Sequence, residues 1–353
     1  MNITHIITGL GRGGAENMLY KLILNQNYLN HTVISLTSGG VYENQLKDLG
    51  VNVYCLNLRS FFGFISAFFK IRKVKSKKQD VYMAWMYHSF IFSVFFGEPK
   101  KTIWNVRHSL DNLSSDKLLT RFIIKLCSML SFFPRKITFN SFKSMEQHKK
   151  LGYSAFRCVR IPNGFNVPKR DNLDVSRSSQ LRLVNVARFH PVKGHKDLIL
   201  AFDYLVNNLG VDAVLDLFGV GVCESNFELN SLNTNTLSRI NFLGESDRIQ
   251  EQLFNYDVYV SCSLSEAFPN AVGEALFAGL YVVSTAVGDT KDIVQEHGVT
   301  CNVSDYKAIA KAIYSINPDS LSLNERNKRY VYMKENFSIE FVSEKFLSLY
   351  KDI

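Results

Sequence analysis

The stretch Ser261–Gly288, SCSLSEAFPNAVGEALFAGLYVVSTAVG, decides how the rest of the chain is read. An apolar run, Tyr256 to Val260, precedes it. Within it, Ala271, Ala275, Leu276 and Ala278 recur at helical spacing, and Gly279 supplies a stop. A second apolar run, Tyr281 to Ser284, follows. The order is strand, loop, helix, strand. Glu266 then falls in the loop beyond a strand's carboxyl end, and Glu274 falls about one turn into the helix. In an open α/β sheet that edge is where ligands bind. The backbone N–H groups of Asn270 to Gly273 open the helix and would face whatever occupies the crevice.

The same alternation runs upstream. Leu181 to Val186 reads as a strand closed by Arg188, and Lys193-Gly194 opens a helix. Two cations converging on a helix N-terminus suit a diphosphate: Arg offers a fork of donors and Lys a point charge. Val214 to Phe218 is a strand ending in Gly219-Val220-Gly221, and Ile240 to Leu243 with Gly244 is another. Asp247 to Phe254 reads as a helix. Three apolar-periodic segments, Tyr306–Ile316, Leu323–Asn336 and Ile339–Tyr350, finish the chain.

Glu266-x7-Glu274, set around Phe268-Pro269-Asn270, with Arg188-x4-Lys193-Gly194 before it, resembles the family 4 retaining glycosyltransferases of the GT-B fold. Ala267 replaces the family's usual Gly and Tyr281 its usual Pro. The resemblance implies that Arg188, Lys193 and the N–H groups near Asn270 hold a donor diphosphate. It implies that Glu274 takes the ribose hydroxyls, that Glu266 takes the sugar hydroxyls, and that the backbone at Gly219 and Leu243 lies along the nucleotide.

In the first half, Asn2 to Thr8 reads as a strand and Gly9-Leu-Gly11-Arg-Gly13-Gly14-Ala-Glu16 as a turn opening a helix. This satisfies G-x-G-x-x-G after a strand. A dinucleotide site also needs an acid at the end of the second strand, and none lies between Glu16 and Glu43. A nicotinamide dehydrogenase is therefore disfavoured. The resemblance places this loop in an acceptor-binding domain facing the donor diphosphate, with Gly13 and Gly14 letting backbone approach phosphate. The segments AWMYHS (Ala84–Ser89) and IWNVRHS (Ile103–Ser109) resemble enzymes of bacterial surface-polysaccharide assembly, such as O-antigen and capsule. His108 matches the family's histidine near the reacting sugar. His88 occupies a similar strand end, and Arg107 could pair with an acidic group of a substrate. Ile161-Pro-Asn-Gly164 resembles the last element before the interdomain linker, and 165–180 carries no periodicity.

Charge divides unevenly over the 353 residues. Residues 1–165 hold 23 Lys and Arg against 8 Asp and Glu, and residues 166–353 hold 18 against 24. Such asymmetry points one half at something anionic. In Leu58–Lys78, seven Phe and Ile residues (Phe61 to Ile71) lead into a cationic end; Lys117–Phe133 is also basic and apolar. Segregated aromatics and cations suit an anionic bilayer surface. Nucleic acid would want them interleaved. No apolar run approaches the roughly 18 residues that span a bilayer. The six Cys lack metal-site spacing, and Asp-x-Asp is absent, so neither metal nor cofactor is expected.

The expectation is an α/β chain of GT-B architecture: two Rossmann-like domains facing across a cleft, 1–164 binding acceptor and 165–338 binding nucleotide-sugar, with the helix near 339–353 returning to the first. The resemblance implies transfer of a hexose or N-acetylhexosamine, with retention, from a UDP-sugar to a lipid-linked oligosaccharide. That places the protein at the cytoplasmic face of the plasma membrane. A non-catalytic GT-B binding protein and a sugar-nucleotide epimerase or hydrolase are the alternatives.

Overall fold

Runs of Val, Ile and aromatic residues form the strands, and amphipathic segments between them form the helices that cover both faces. The computed structural model describes residues 1–58, 70–72, 74, 78–111, 113, 117–168, 180–230 and 232–353. The chain divides into two units, Met1–Gly164 with Ile339–Ile353, and Phe165–Ser338.

Unit 1 holds a parallel sheet of seven strands: β1 (Asn2–Ile7), β2 (Asn30–Ser35), β3 (Asn52–Cys55), β4 (Val81–Trp85), β5 (Thr102–Val106), β6 (Lys136–Phe139) and β7 (Cys158–Arg160). Their order is β3-β2-β1-β4-β5-β6-β7. Ile3 pairs with both His31 of β2 and Val81 of β4, so the sheet grows outward from β1 in both directions. β4 and β5 are buried along their whole length, as strands covered on both faces must be. The helix Ile339–Lys351 belongs to this unit. Its Ile339, Val342, Phe346 and Leu349 recur every three or four residues and share a core cluster with Leu19, Leu22 and Ile23 of the helix Gly14–Asn25. Gln26 Nε2 donates to Ser343 O at 3.0 Å beside that seam.

Unit 2 holds six parallel strands: β8 (Leu181–Val186), β9 (Ala213–Phe218), β10 (Ile240–Gly244), β11 (Val258–Ser261), β12 (Tyr281–Thr285) and β13 (Gly298–Cys301), in the order β10-β9-β8-β11-β12-β13. Side chains alternate between two cores, as the pleat requires. Leu183, Val258, Val260 and Val283 face one with the helices His195–Asn207 and Tyr306–Tyr314. Val184, Tyr259 and Val282 face the other with the helices Asn270–Phe277 and Leu323–Phe337.

Several expectations change. Residues 165–180 do not begin as a loose linker: Phe165 is buried, and its ring contacts those of Phe268 and Phe277. A Cβ at Gly273 would lie 2.2 Å from Phe165 Cζ, so the helix Asn270–Phe277 needs glycine there. The expected helix over 247–254 is a short one, Ile249–Gln252, followed by a 3-10 turn. The helix Val41–Asp48 and strand β13 were not expected. Most of Leu58–Lys78 lies outside the described residues. Of its cationic end, Lys70 Nζ donates to Cys55 O at 2.7 Å and Val74 is buried, so part of that segment faces the core.

Candidate functional site

In each sheet the strand order reverses next to the unit's first strand, between β1 and β4 and between β8 and β11. The crevice outside the carboxyl ends of such a strand pair is where open α/β sheets bind ligands. Unit 2 carries its chemistry there. β8 exits into Arg188, then the 3-10 turn Pro191–Lys193, then Gly194 and the helix His195–Asn207. β11 exits into Ser263 and Glu266. The two loops are tied together by Leu264 N donating to Val192 O at 2.8 Å. Gly194 has φ +65°, and a Cβ there would lie 2.0 Å from Cys262 O, so only glycine lets the loops approach this closely.

That approach joins Lys193 to Glu266: the ammonium donates to Oε1, and both side chains are about four-fifths buried. Ser263 Oγ donates to the same oxygen at 3.0 Å, and Thr285 Oγ1 holds Ser263 O at 2.6 Å. Arg188 is exposed and makes no hydrogen bond or ion pair among the described residues. Glu274 lies in the first turns of the helix Asn270–Phe277, beside a recess lined by Asn166, Pro168 and Gln250. The buried Tyr259 hydroxyl lies 3.5 Å from Val186 O and feels both carboxylates through their charge. Burial, then the charges of Glu266 and Glu274, push it far above the usual phenol range. The Tyr256–Val260 run marked Tyr259 only as core. Behind Lys193, burial and then the Lys193 charge hold the His195 imidazole down at about 4, so it is neutral.

The other unit 2 candidates contribute backbone. Phe268 points into the core against Phe165 and Phe337, so it shapes the loop rather than touching a ligand. Pro269 caps the helix and Asn270, exposed, begins it. Gly219 lies where β9 leaves the sheet, its N–H donating to Gly244 O at 2.7 Å. A register shift between Phe242 and Gly244 takes Leu243 out of the β9 ladder, as at bulges beside binding sites. Phe189, Val220, Leu243 and Leu264 are all exposed along this carboxyl edge.

Unit 1 carries a second cluster at the end of β5. Tyr87 OH lies 2.8 Å from His148 Nε2 and 3.3 Å from His108 Nδ1. His148 Nδ1 reaches the carbonyl of Ser144 at 2.7 Å, and burial holds this histidine down at about 4. A carbonyl only accepts, so Nδ1 carries the His148 proton and Nε2 accepts from Tyr87. The Tyr87 oxygen then accepts from His108 Nδ1, which sets the tautomer of His108. Tyr87 lies inside the quoted AWMYHS segment; His148, some 60 residues on, carried no signal. Arg107 is largely buried, donates to Asn163 Oδ1 and lies 5.4 Å over the Trp85 ring. It braces this edge, and burial lowers it to about 9. His88 is exposed in the first turn of the helix Tyr87–Phe96. Gly13 and Gly14 are exposed at the start of the helix Gly14–Asn25, and a Cβ at Gly14 would meet nothing within 4 Å. Among the described residues no group of three or more His, Cys, Asp or Glu could hold a metal ion, and no helix is long and apolar enough to cross a membrane.

Two Rossmann-like parallel sheets, one carrying a cation–carboxylate pair at its switch point, define the GT-B class. Residues 172–336, just under half of the chain, match the family described as Glycosyl transferases group 1. N-acetyl-alpha-D-glucosaminyl L-malate synthase of Bacillus anthracis is 29% identical over 184 residues, covering 51% of this chain and 47% of its own length. The match thus spans about half of that relative. The putative glycosyltransferase EpsF of Bacillus subtilis is 25% identical over 313 residues, covering 82% of this chain and 80% of its own. Anabaena HepE, crystallised with UDP, superposes with a TM-score of 0.83 at 18% identity, covering 100% of both chains.

Proposed function

We propose that the chain transfers a hexose or N-acetylhexosamine from a UDP-sugar to a saccharide acceptor with retained anomeric configuration. The observation that carries the proposal is the Lys193–Glu266–Ser263 cluster at the β8/β11 switch point. A lysine that already faces a carboxylate at a helix N-terminus can meet a diphosphate, and the carboxylate beside it can accept from sugar hydroxyls. Arg188 adds a fork of donors to the phosphate oxygens, and Glu274 accepts from the ribose hydroxyls. The base runs along Leu243. In unit 1, Tyr87 holds in one tautomer the histidine, His108, to which the resemblance gives a role at the sugar. In the reaction the bond from C1 to the phosphate oxygen breaks and its electrons stay on the diphosphate. The acceptor oxygen attacks C1 from the same face, and its proton passes to the departing phosphate. Arg188 and Lys193 stabilise that charge as it develops.

Glu266→Ala and Lys193→Ala should each abolish transfer in a UDP-release assay while the fold survives. Turnover like that of the wild type in either purified variant would sink the assignment.

The acceptor in this reading is a lipid-linked oligosaccharide at the cytoplasmic membrane face. Supporting it is the helix Leu118–Met129, where Leu118, Phe122 and Met129 are exposed on one stripe beside Arg121 and Lys125, with exposed Phe132 beyond. Flotation with anionic liposomes tests this, and no binding at low salt would remove it.

A further inference from the structure

Two loops at the carboxyl edge of the unit 1 sheet build a cavity whose lining shares no residue with the His108 cluster. One follows β1 and ends in Arg12-Gly13-Gly14; the other follows β2 and leads into the helix Val41–Asp48. They are locked together: Tyr42 N donates to Leu10 O at 3.1 Å, and a Cβ at Gly40 would lie 2.4 Å from that same oxygen. The space between them is about 500 Å³ and is lined by Arg12, Asn17, Tyr20, Tyr42 and Gln45, with Gly13, Gly14 and Val41. Small-molecule pockets run ~300–1,000 Å³.

The lining selects a ligand class. Tyr20 and Tyr42 contact each other with centroids 5.5 Å apart and planes 37° apart, giving an angled aromatic wall. Around it stand two carboxamides and a guanidinium. None of the side chains of Arg12, Asn17 and Gln45 makes a hydrogen bond to another described residue. Carboxamides offer donor and acceptor side by side, matching a hydroxyl that both gives and receives. Tyrosine offers an apolar face with a polar tip. Burial and then the Glu16 carboxylate raise the Tyr42 phenol, which keeps it a donor. A pyranose has this character: one face of C–H groups and a rim of hydroxyls. A phosphate would use Arg12 and leave the aromatic wall and both carboxamides unengaged.

We infer that this cavity is a subsite for one pyranose ring of the acceptor, stacked on Tyr42 and held through Asn17, Gln45 and Arg12. The inference rests on the glycosyl-transfer reading for calling the ring an acceptor unit, though not for its chemistry. The test is saturation-transfer NMR on the full chain with phenyl glycosides of glucose, galactose, N-acetylglucosamine and N-acetylgalactosamine, and with UDP as a separate arm. At least one glycoside should bind the wild type. Gln45→Ala and Asn17→Ala should each weaken it about tenfold, Tyr42→Ala should abolish it, and Tyr42→Phe should retain it within about threefold. UDP binding should be the same in all. Glycosides that bind equally to wild type, Gln45→Ala and Asn17→Ala would overturn the inference, as would a wild type that binds UDP and no glycoside. Failure of UDP to bind the wild type would count against glycosyl transfer, a signal separate from the glycoside arm.

Discussion

Replacing Glu266 by Gln should tighten the binding of UDP and slow transfer. Glu266 accepts from Lys193, so the carboxylate partly neutralises the lysine's charge and competes with a diphosphate for it. Both side chains are about four-fifths buried, at the edge of what solvent screens. An ion pair of this kind is worth about 1 kcal/mol. Gln keeps an oxygen for Ser263 and releases the ammonium, so UDP affinity should rise up to about fivefold, the equivalent of 1 kcal/mol. The carboxylate's hydrogen bonds to the sugar are lost, at roughly 1.5–3 kcal/mol for a charged acceptor. Turnover should therefore fall about 10- to 100-fold. Calorimetric titration with UDP and a UDP-release assay with donor and acceptor read the two effects. A general folding defect would lower both numbers. UDP binding weakened more than about threefold, or turnover within twofold of wild type, would refute the reasoning.

Gly273→Ala should cost about 1–3 kcal/mol by driving a methyl into the Phe165 ring, and Phe165→Ala about 3–5 kcal/mol. The double variant should cost less than the sum in urea denaturation, since the smaller residue makes the room the methyl needs; strict additivity would argue against the contact. Stability should fall between pH 6.5 and pH 4. Burial lowers His5, His31, His148 and His195 in the folded chain, so the unfolded chain takes up protons first as pH falls. Each group adds up to about 1.4 kcal/mol per pH unit in that window and nothing above it. Denaturation midpoints unchanged from pH 7 to pH 5 would contradict this. Phe122→Glu with Met129→Glu should abolish liposome flotation, because each buried side chain is worth about 2 kcal/mol; binding as strong as wild type would exclude this helix as the contact.

The parallel, doubly wound character of the chain was legible because its strands are short apolar runs with helical periodicity between them. Strand and helix ends came within a residue or two where a cap or glycine punctuates them, as at Ser141 and Gly279. Lys193 and Glu266 were readable as candidates, but not their pairing. That depends on Gly194 letting backbone pass Cys262, a tertiary contact with no periodic trace. Phe165 looked like linker since its neighbours are polar, and its partners lie over 100 residues on. The helix Val41–Asp48 was missed because it buries only Leu46; the Glu43–Lys47 spacing was its one local sign. His148 orients Tyr87 through a tertiary contact and looks like ordinary core from the chain alone.

The two places where the chain passes between units have a practical meaning. In unit 1, Gly164 lies so close to Ile339 that a Cβ would meet its Cα at 2.9 Å. In unit 2, Phe165 bridges Ser338, and its N–H donates to Phe337 O at 2.9 Å. Unit 2 is thus an insertion whose two ends meet. Joining residue 164 to residue 339 through a short linker would seal unit 1 with its last helix in place, and 165–338 would form a separate piece with abutting termini. The nucleotide and saccharide chemistries assigned to the two units could then be measured one at a time.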